Sequence, residues 1–441
     1  MKRLGIALAL LATLGGCGIF SGHKSNKPKT AVLGERIPVL AAEAGVEVDP
    51  VLASTTVVVP APTTNDGWTQ SGGNAQKWMG HLALGETLSR AWGAKVAGST
   101  KKVRLAAGPV VGDGKLFVTD TTATIRAYDA RTGALLWSHR LGHRGKEEKA
   151  LFGGGISYDG GKVYATNGVG DVAALDATTG SVIWTKRPGG PLRGGPTISN
   201  GQVYVVTQDN QIFALKAEDG DTAWNEAGTI EMSGVFGVAA PAAAQGTVIA
   251  GFSSGELNAY RYENGRLVWG DALAPTSIST SVSTLSDIDA DPVVDQGQVY
   301  AIGQGGRMVA LELVTGQRLW ELNIAGTATP WVAGDWIYVV TDDARLLCIS
   351  RVAGKVRWIS QLRAWKHPKK KDGGPIDWVG PVLAGGRLLL ANSEGQLVSV
   401  SPTDGKQLST MKLGAPVFQT PVVANSTLYI LDAKGRITAW R

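Results

Sequence analysis

A chain of 441 residues, 44% hydrophobic and 18% charged, can bury a large core, and its 59 glycines and 14 tryptophans set it apart from average composition. The net charge of +6 bears on solubility and weak steering toward acidic surfaces and leaves no electrostatic footprint for nucleic acid. Cys17 and Cys348 are the only cysteines, and the first is read below as lipidated, so no internal disulfide is expected and the fold must rest on packing.

Met1, Lys2 and Arg3 precede a short apolar run, Leu4 to Leu14, that is too short to span a bilayer and reads as a signal peptide over residues 1–16. Its end, Leu14-Gly15-Gly16-Cys17, resembles a bacterial lipobox, which makes Cys17 the lipidation site and first residue of the mature chain. Gly18 follows where an aspartate would favour the inner membrane, so the expected location is the periplasmic face of the outer membrane. Residues 17–65 are rich in Ala, Val, Thr and Pro, carry Lys24, Lys27 and Lys29, and read as a lipidated, flexible tether. Residues 66–441 are then the globular domain.

That domain is built on a repeat of roughly 40 to 50 residues. Clear copies are Ala127 to Trp137 and Ala174 to Trp184, each with an Asp-x-x-Thr-Gly turn between a small residue and a tryptophan. Further copies run from Ala214, Ala259 and Ala310 to Trp224, Trp269 and Trp320; weaker ones start at Cys348 and Ser399, the last with Ser409 in place of tryptophan. Each copy follows alternating apolar residues after a proline or glycine, at Pro109, Ile156, Pro196, Pro241, Pro292, Pro330, Pro381 and Pro421. Period-two alternation bounded by turns means strands, four per unit. The expectation is therefore an all-β fold, an eight-bladed β-propeller of four-stranded antiparallel blades. The last unit stops at Arg441 without its fourth strand, while Gly85 to Trp92 has fourth-strand character one period before Trp137. An N-terminal strand completing the C-terminal blade closes the ring and leaves no lone edge at the seam.

Several chemical motifs lose their meaning on this map. Gly168-Val-Gly170 and Gly251-Phe-Ser253-Ser-Gly255 match a dinucleotide loop and a nucleophile elbow by letter, yet neither is followed by the helix that either chemistry needs. His139 and His143 leave a strand for a loop and suggest no metal site, and Cys348 at a small-residue position reads as a buried, inert thiol. The tryptophan repeat resembles that of quinoprotein (PQQ) dehydrogenases, whose members, as that resemblance implies, carry two adjacent cysteines, acidic calcium ligands and a catalytic aspartate. This chain has no adjacent cysteine pair. A binding protein without catalytic residue, metal or cofactor is the expectation, with a quinoprotein-like enzyme or a structural envelope lipoprotein as alternatives.

Function is better sought in the long connections, Arg140 to Phe152, Asn225 to Phe236, Gly270 to Ala290 and Gln361 to Trp378, which all join a fourth strand to the next first strand and so share one face. The last carries a basic run, Lys369 to Lys371, whose bland reading is a solvated face. The lipobox, the eight units, Leu285-Ser286-Asp287-Ile288-Asp289 and Phe418-Gln419-Thr420-Pro421 together resemble the BamB family, lipoproteins of the outer-membrane β-barrel assembly machine. The resemblance implies a scaffold that engages the periplasmic POTRA domains of BamA and the rest of that complex, with nascent outer-membrane proteins as further partners and the membrane reached through the lipid. It also implies that Asp287 and Asp289 belong to the BamA surface, with local turn chemistry as the competing role. The family's leucine-and-arginine motif is placed before the strand starting at Pro241, where Val235 and Phe236 stand and the arginine is missing. Asp287, Asp289, Val235 and Phe236 are thus expected to form one exposed patch.

Overall fold

A computed structural model of the protein describes residues 46–142, 153–230, 239–273, 286–367 and 373–441. Its strands form eight four-stranded antiparallel sheets, each a blade of a β-propeller, with strand a innermost and strand d outermost. Blade 1 is typical: Val110–Gly112, Lys115–Thr119, Thr124–Asp129 and Leu135–Arg140. Blade 8 combines Val422–Ala424, Thr427–Leu431 and Arg436–Trp440 from the C-terminal end with Arg90–Lys95 from the N-terminal side. The closing strand thus pairs as expected, and Ser89 and Arg441 exchange two backbone hydrogen bonds, of 2.6 and 2.9 Å, beside it.

The spacing of small residue, turn and tryptophan has a packing cause. Ala127 lies across from Trp137, Ala174 from Trp184 and Cys348 from Trp358, and the c to d register shifts immediately after each small residue. A larger side chain there would meet the indole across the strand pair. Asp129 shapes the following turn by accepting hydrogen bonds at one carboxylate oxygen from the Arg131 and Thr132 amides (3.1 and 2.7 Å) and the Thr132 hydroxyl (2.7 Å). Gly133 then has φ +75°, and a Cβ on it would lie 2.5 Å from the Trp92 ring of the preceding blade, so both conformation and space require glycine. Each tryptophan caps the next blade in this way. Trp137 donates its indole N–H to the Ala177 carbonyl at 3.0 Å, Trp184 to Ala217 at 3.2 Å and Trp269 to Leu313 at 2.8 Å. Blade 7 has Ser409 in the tryptophan position, and its neighbour is blade 8, whose strand d is the N-terminal Arg90–Lys95, so no c to d turn joins strands c and d there. With no turn to cap, no tryptophan is needed.

Residues 46–65, assigned by composition to the tether, lie on the propeller. Val48 forms a parallel bridge with Val356 on strand d of blade 6 (Val356–Gln361), the Asp49 amide donates to the Val356 carbonyl at 2.9 Å, and Asp49 pairs with Lys355 at 2.8 Å. The segment then runs inward, burying Val57. His81 fixes it there: its Nε2 accepts from the Gly386 amide at 2.9 Å, so its Nδ1 carries the proton donated to the Pro60 carbonyl at 2.6 Å.

Residues 65–82 then make one circuit around the propeller axis and bond to every blade in ring order. Asn65 donates to the Val423 carbonyl of blade 8 (2.8 Å). Trp68 exchanges two backbone bonds with Val111 of blade 1 (2.8 and 2.7 Å), Thr69 accepts from Tyr158 of blade 2 (2.8 Å), and the Gln70 amide pairs both ways with Ile198 of blade 3 (3.0 Å each). Ala75 accepts from Ala243 of blade 4 and Gln76 from Val294 of blade 5, both at 2.8 Å. Gly80 accepts from the Trp331 indole of blade 6 (2.8 Å), and Leu82 donates to Leu383 of blade 7 (3.0 Å). The innermost strands are mostly three residues long and expose an unpaired edge toward the axis, and this axial plug satisfies it.

Candidate functional site

Two connections on one face converge. In the approach to blade 3, the Arg193 amide donates to the Val206 carbonyl at 2.9 Å and Gln208 donates to Pro191 at 2.8 Å, which buries Leu192 and turns the Arg193 side chain inward. In the approach to blade 5, Ile288 donates to Phe252 of blade 4 (3.2 Å), and Gln304 of blade 5 donates to Asp287 (2.9 Å). The stretch alternates Asp287, Ile288, Asp289, Ala290 and Asp291, so an extended backbone sends the carboxylates to one side and the apolar residues to the other. Ile288 is fully buried against Gly251, where a Cβ would lie 2.4 Å away. That close approach explains the first glycine of the elbow-like motif, whose Ser253 donates its hydroxyl to Asn210 at 2.8 Å.

Arg193 joins the two connections. Its Nη2 donates to Asp287 at 2.5 Å and to Asp289 at 3.1 Å, and the three side chains are 1%, 1% and 8% exposed. Nε and Nη1 of Arg193 are buried with no hydrogen-bond partner among the described residues. One guanidinium between two carboxylates leaves the cluster anionic when both are ionised. Burial, and next the like charge of Asp287, push Asp289 up to about 6, while Arg193 pulls the other way.

Beside this cluster lies an axial cavity of about 170 Å³, floored by the plug and lined by Lys77, Asp289, Asp291, Trp331 and Trp378 among others. Asp291 fastens the plug to the ring: it accepts from the Ser71 hydroxyl at 2.6 Å and the Ala240 amide at 2.7 Å. Lys77 is buried, has φ +63°, and donates to the Thr197 hydroxyl at 3.0 Å; desolvation lowers its ammonium to about 8, against the pull of Asp291. No cluster of three or more metal-capable side chains occurs among the described residues.

The expected patch is therefore revised. Asp287 and Asp289 do stand together, but buried against Arg193 instead of exposed, because two carboxylates without a counter-charge would be too costly to desolvate. Val235, Phe236 and Cys17 lie outside the described residues, as do His143 and Lys369 to Lys371. A leucine-and-arginine pair, Leu192-Arg193, stands one blade earlier than the Val235-Phe236 position, and it is this arginine that meets Asp287 and Asp289. The available signal was the Leu-Arg pair ahead of Pro196; what the sequence does not display is that the approaches to blades 3 and 5 meet across blade 4.

A family model described as outer membrane protein assembly factor BamB matches residues 79–149, 122–360 and 362–440. The outer membrane protein assembly factor BamB of Yersinia pestis is 28% identical over 330 residues, 74% of this chain and 81% of that protein. That of Vibrio cholerae is 38% identical over 228 residues, 52% of this chain and 58% of the relative. Among solved structures, BamB from Moraxella catarrhalis aligns with a TM-score of 0.65 at 20% identity, covering 80% of this chain and 98% of that one. The quinohemoprotein alcohol dehydrogenase of Comamonas testosteroni aligns with a TM-score of 0.66 at 15% identity, covering 85% and 80%. At such identities these two alignments speak for the fold alone.

Proposed function

From the premise that this chain belongs to the BamB family of outer membrane protein assembly factors, we propose that it is a non-catalytic scaffold that binds the periplasmic POTRA domains of BamA through the face carrying Leu192, Arg193, Asp287 and Asp289. The observation that carries this reading is the Arg193 clamp. It holds two approach loops, from blades 3 and 5, in one fixed arrangement and keeps two guanidinium nitrogens without a hydrogen-bond partner among the described residues. A buried polar group left unbonded costs on the order of 1 to 3 kcal/mol and persists where a site is prepared for something else.

Neutralising all three groups together (Arg193→Met, Asp287→Asn, Asp289→Asn) leaves no uncompensated buried charge, so the propeller should fold. Capture of BamA's POTRA domains should nonetheless fall by about tenfold or more, the scale of a central anchor. Full capture with the fold intact would move the interface elsewhere.

Binding without catalysis fits the residues. The chain has no adjacent cysteines to support a quinone, and burial pushes the Cys348 thiol well above its ordinary range, away from the thiolate that reacts. We also infer a lipid anchor at Cys17 on the periplasmic face of the outer membrane. Cys17→Ala should leave the protein exported and, in cells lacking BamA partners, soluble in the periplasmic fraction.

A further inference from the structure

The face that carries the Arg193 clamp is electrically divided. The b to c turns and the ends of strand d on blades 3, 4 and 6 bring Asp209, Glu256, Asp271 and Asp343 to it. Blade 8, across the ring from blade 4, brings cations instead. Three residues past the tryptophan position, at the end of strand d, stand Lys95 in blade 8 and Lys412 in blade 7, set opposite Arg436 and Gln396. Lys434 lies in the b to c turn of blade 8, and Lys101, Lys102 and Arg104 lie in the connection from blade 8 to blade 1. All six are exposed.

Local chemistry gathers these side chains. Val96 donates its amide to the Gly435 carbonyl at 2.8 Å and Ser99 to Ala433 at 2.7 Å, which seats the connection on the b to c turn of its own blade. A Cβ on Gly98 would lie 2.4 Å from the Lys434 backbone, so glycine there lets Lys434 stand beside the connection. The Thr100 hydroxyl oxygen accepts from the Lys102 and Val103 amides, both at 3.2 Å, and the resulting tight turn has Lys101 and Lys102 at its tip. Arg104 lies over the Phe418 ring, 5.7 Å from its centroid. None of the six cations is ion-paired with a carboxylate among the described residues, and the nearby Asp120 and Asp432 are buried and already held by Arg126 and Arg436. Like charges gathered without a counter-charge repel one another, a cost that an anionic surface would offset.

We propose that this basic sector rests on an anionic bilayer surface and sets the orientation of the propeller at the membrane. The inference rests on the lipid-anchor reading, which puts a bilayer within reach. The 28 residues from Gly18 to Gly45 can span at most about 100 Å, against a radius of gyration of about 21 Å for a domain of this size, so the anchor leaves the blade 8 rim free to turn to the lipid. Each Lys or Arg held beside negatively charged headgroups adds about fivefold in affinity, and the attraction fades within about 10 Å. Those headgroups repel the acidic half of the same face. The bilayer therefore meets the blade 8 rim and leaves the clamp, across the axis, open to a protein partner. At physiological salt the contact orients an anchored protein and does not by itself retain a soluble one.

The test uses the mature chain, residues 17–441, carrying Cys17→Ala so that no lipid contributes, and co-sedimentation with vesicles of phosphatidylethanolamine and phosphatidylglycerol. Binding should appear at about 0.05 M salt, disappear at about 0.5 M, and be absent with phosphatidylcholine vesicles. Lys101→Glu, Lys102→Glu and Lys434→Glu together should weaken it by about tenfold or more. Lys216→Glu, Arg266→Glu and Lys406→Glu change the net charge equally beside the c to d turns of the opposite face and should leave binding within about twofold. All six positions are exposed, so both triple variants should keep the melting temperature. Equal loss in the two triples, or equal binding to phosphatidylcholine, would overturn the proposal. So would vesicle binding that survives the first triple while POTRA capture falls, which would make the sector a protein surface. Failure of the anchor reading shows separately, in the fractionation of Cys17→Ala in cells.

Discussion

The ring of blades and the segment before it, residues 46–85, are held together by opposite strategies. The ring uses one contact many times: a tryptophan of one blade over the turn glycine of the next, with its indole N–H on a carbonyl there, from Trp92 to Trp358. The segment uses a different contact at each step, with a backbone pair at Trp68, a side-chain amide at Gln70, a carbonyl under an indole at Gly80 and a histidine bridge at His81. Repetition makes each ring contact replaceable in kind. The axial circuit has no second copy, and it touches all eight blades.

The difference predicts unequal damage. Removing residues 46–84 exposes the inner edge of every blade, strips Trp68, Leu82 and Leu84 from the core, and should abolish cooperative thermal unfolding or lower its midpoint by more than any single ring substitution. Circular dichroism and limited proteolysis read the outcome, and an unchanged midpoint would reduce the plug to a passenger. Trp137→Ala removes one of the repeated caps and should cost about 3 to 5 kcal/mol, the range for a buried tryptophan. If that variant instead matched the deletion, the ring would depend on each cap individually and the contrast would fail.

The same contrast explains what was legible in the sequence. Eight units, the alanine and tryptophan pairing, the Asp129 turn and the N-terminal strand of blade 8 all follow from periodicity, because a contact repeated at fixed spacing leaves a repeated residue. The plug has no period. Its residues are chosen by eight different neighbours, so Trp68 to Leu82 read only as the unremarkable start of the domain, and residues 46–65 as tether. Arg193 was hidden for a related reason: its partners lie two blades on, at Asp287 and Asp289, and nothing local marks a distance set by the ring. The aspartates were found by resemblance, but their burial depends on that unseen arginine.

The smallest effect expected is also the one whose sign is least intuitive. Asp289 is ion-paired, yet burial and Asp287 outweigh Arg193 and hold its carboxyl at about 6 in the folded protein, above the ordinary 3.8. A folded-state value above the unfolded one means that the fold prefers the protonated acid; the stabilisation is complete below the unfolded value and is lost as pH rises through about 6. At neutral pH the ionised carboxylate therefore weakens the fold. Asp289→Asn keeps the shape, keeps an oxygen for Arg193 to donate to, and removes the charge. It should raise the melting midpoint at pH 7.5 by a few degrees, have little effect near pH 4, and flatten the pH dependence between them. A lower midpoint at pH 7.5 would mean that the Arg193 to Asp289 pair stabilises on balance, making the clamp a source of stability for the ring as well as a fixed geometry for a partner.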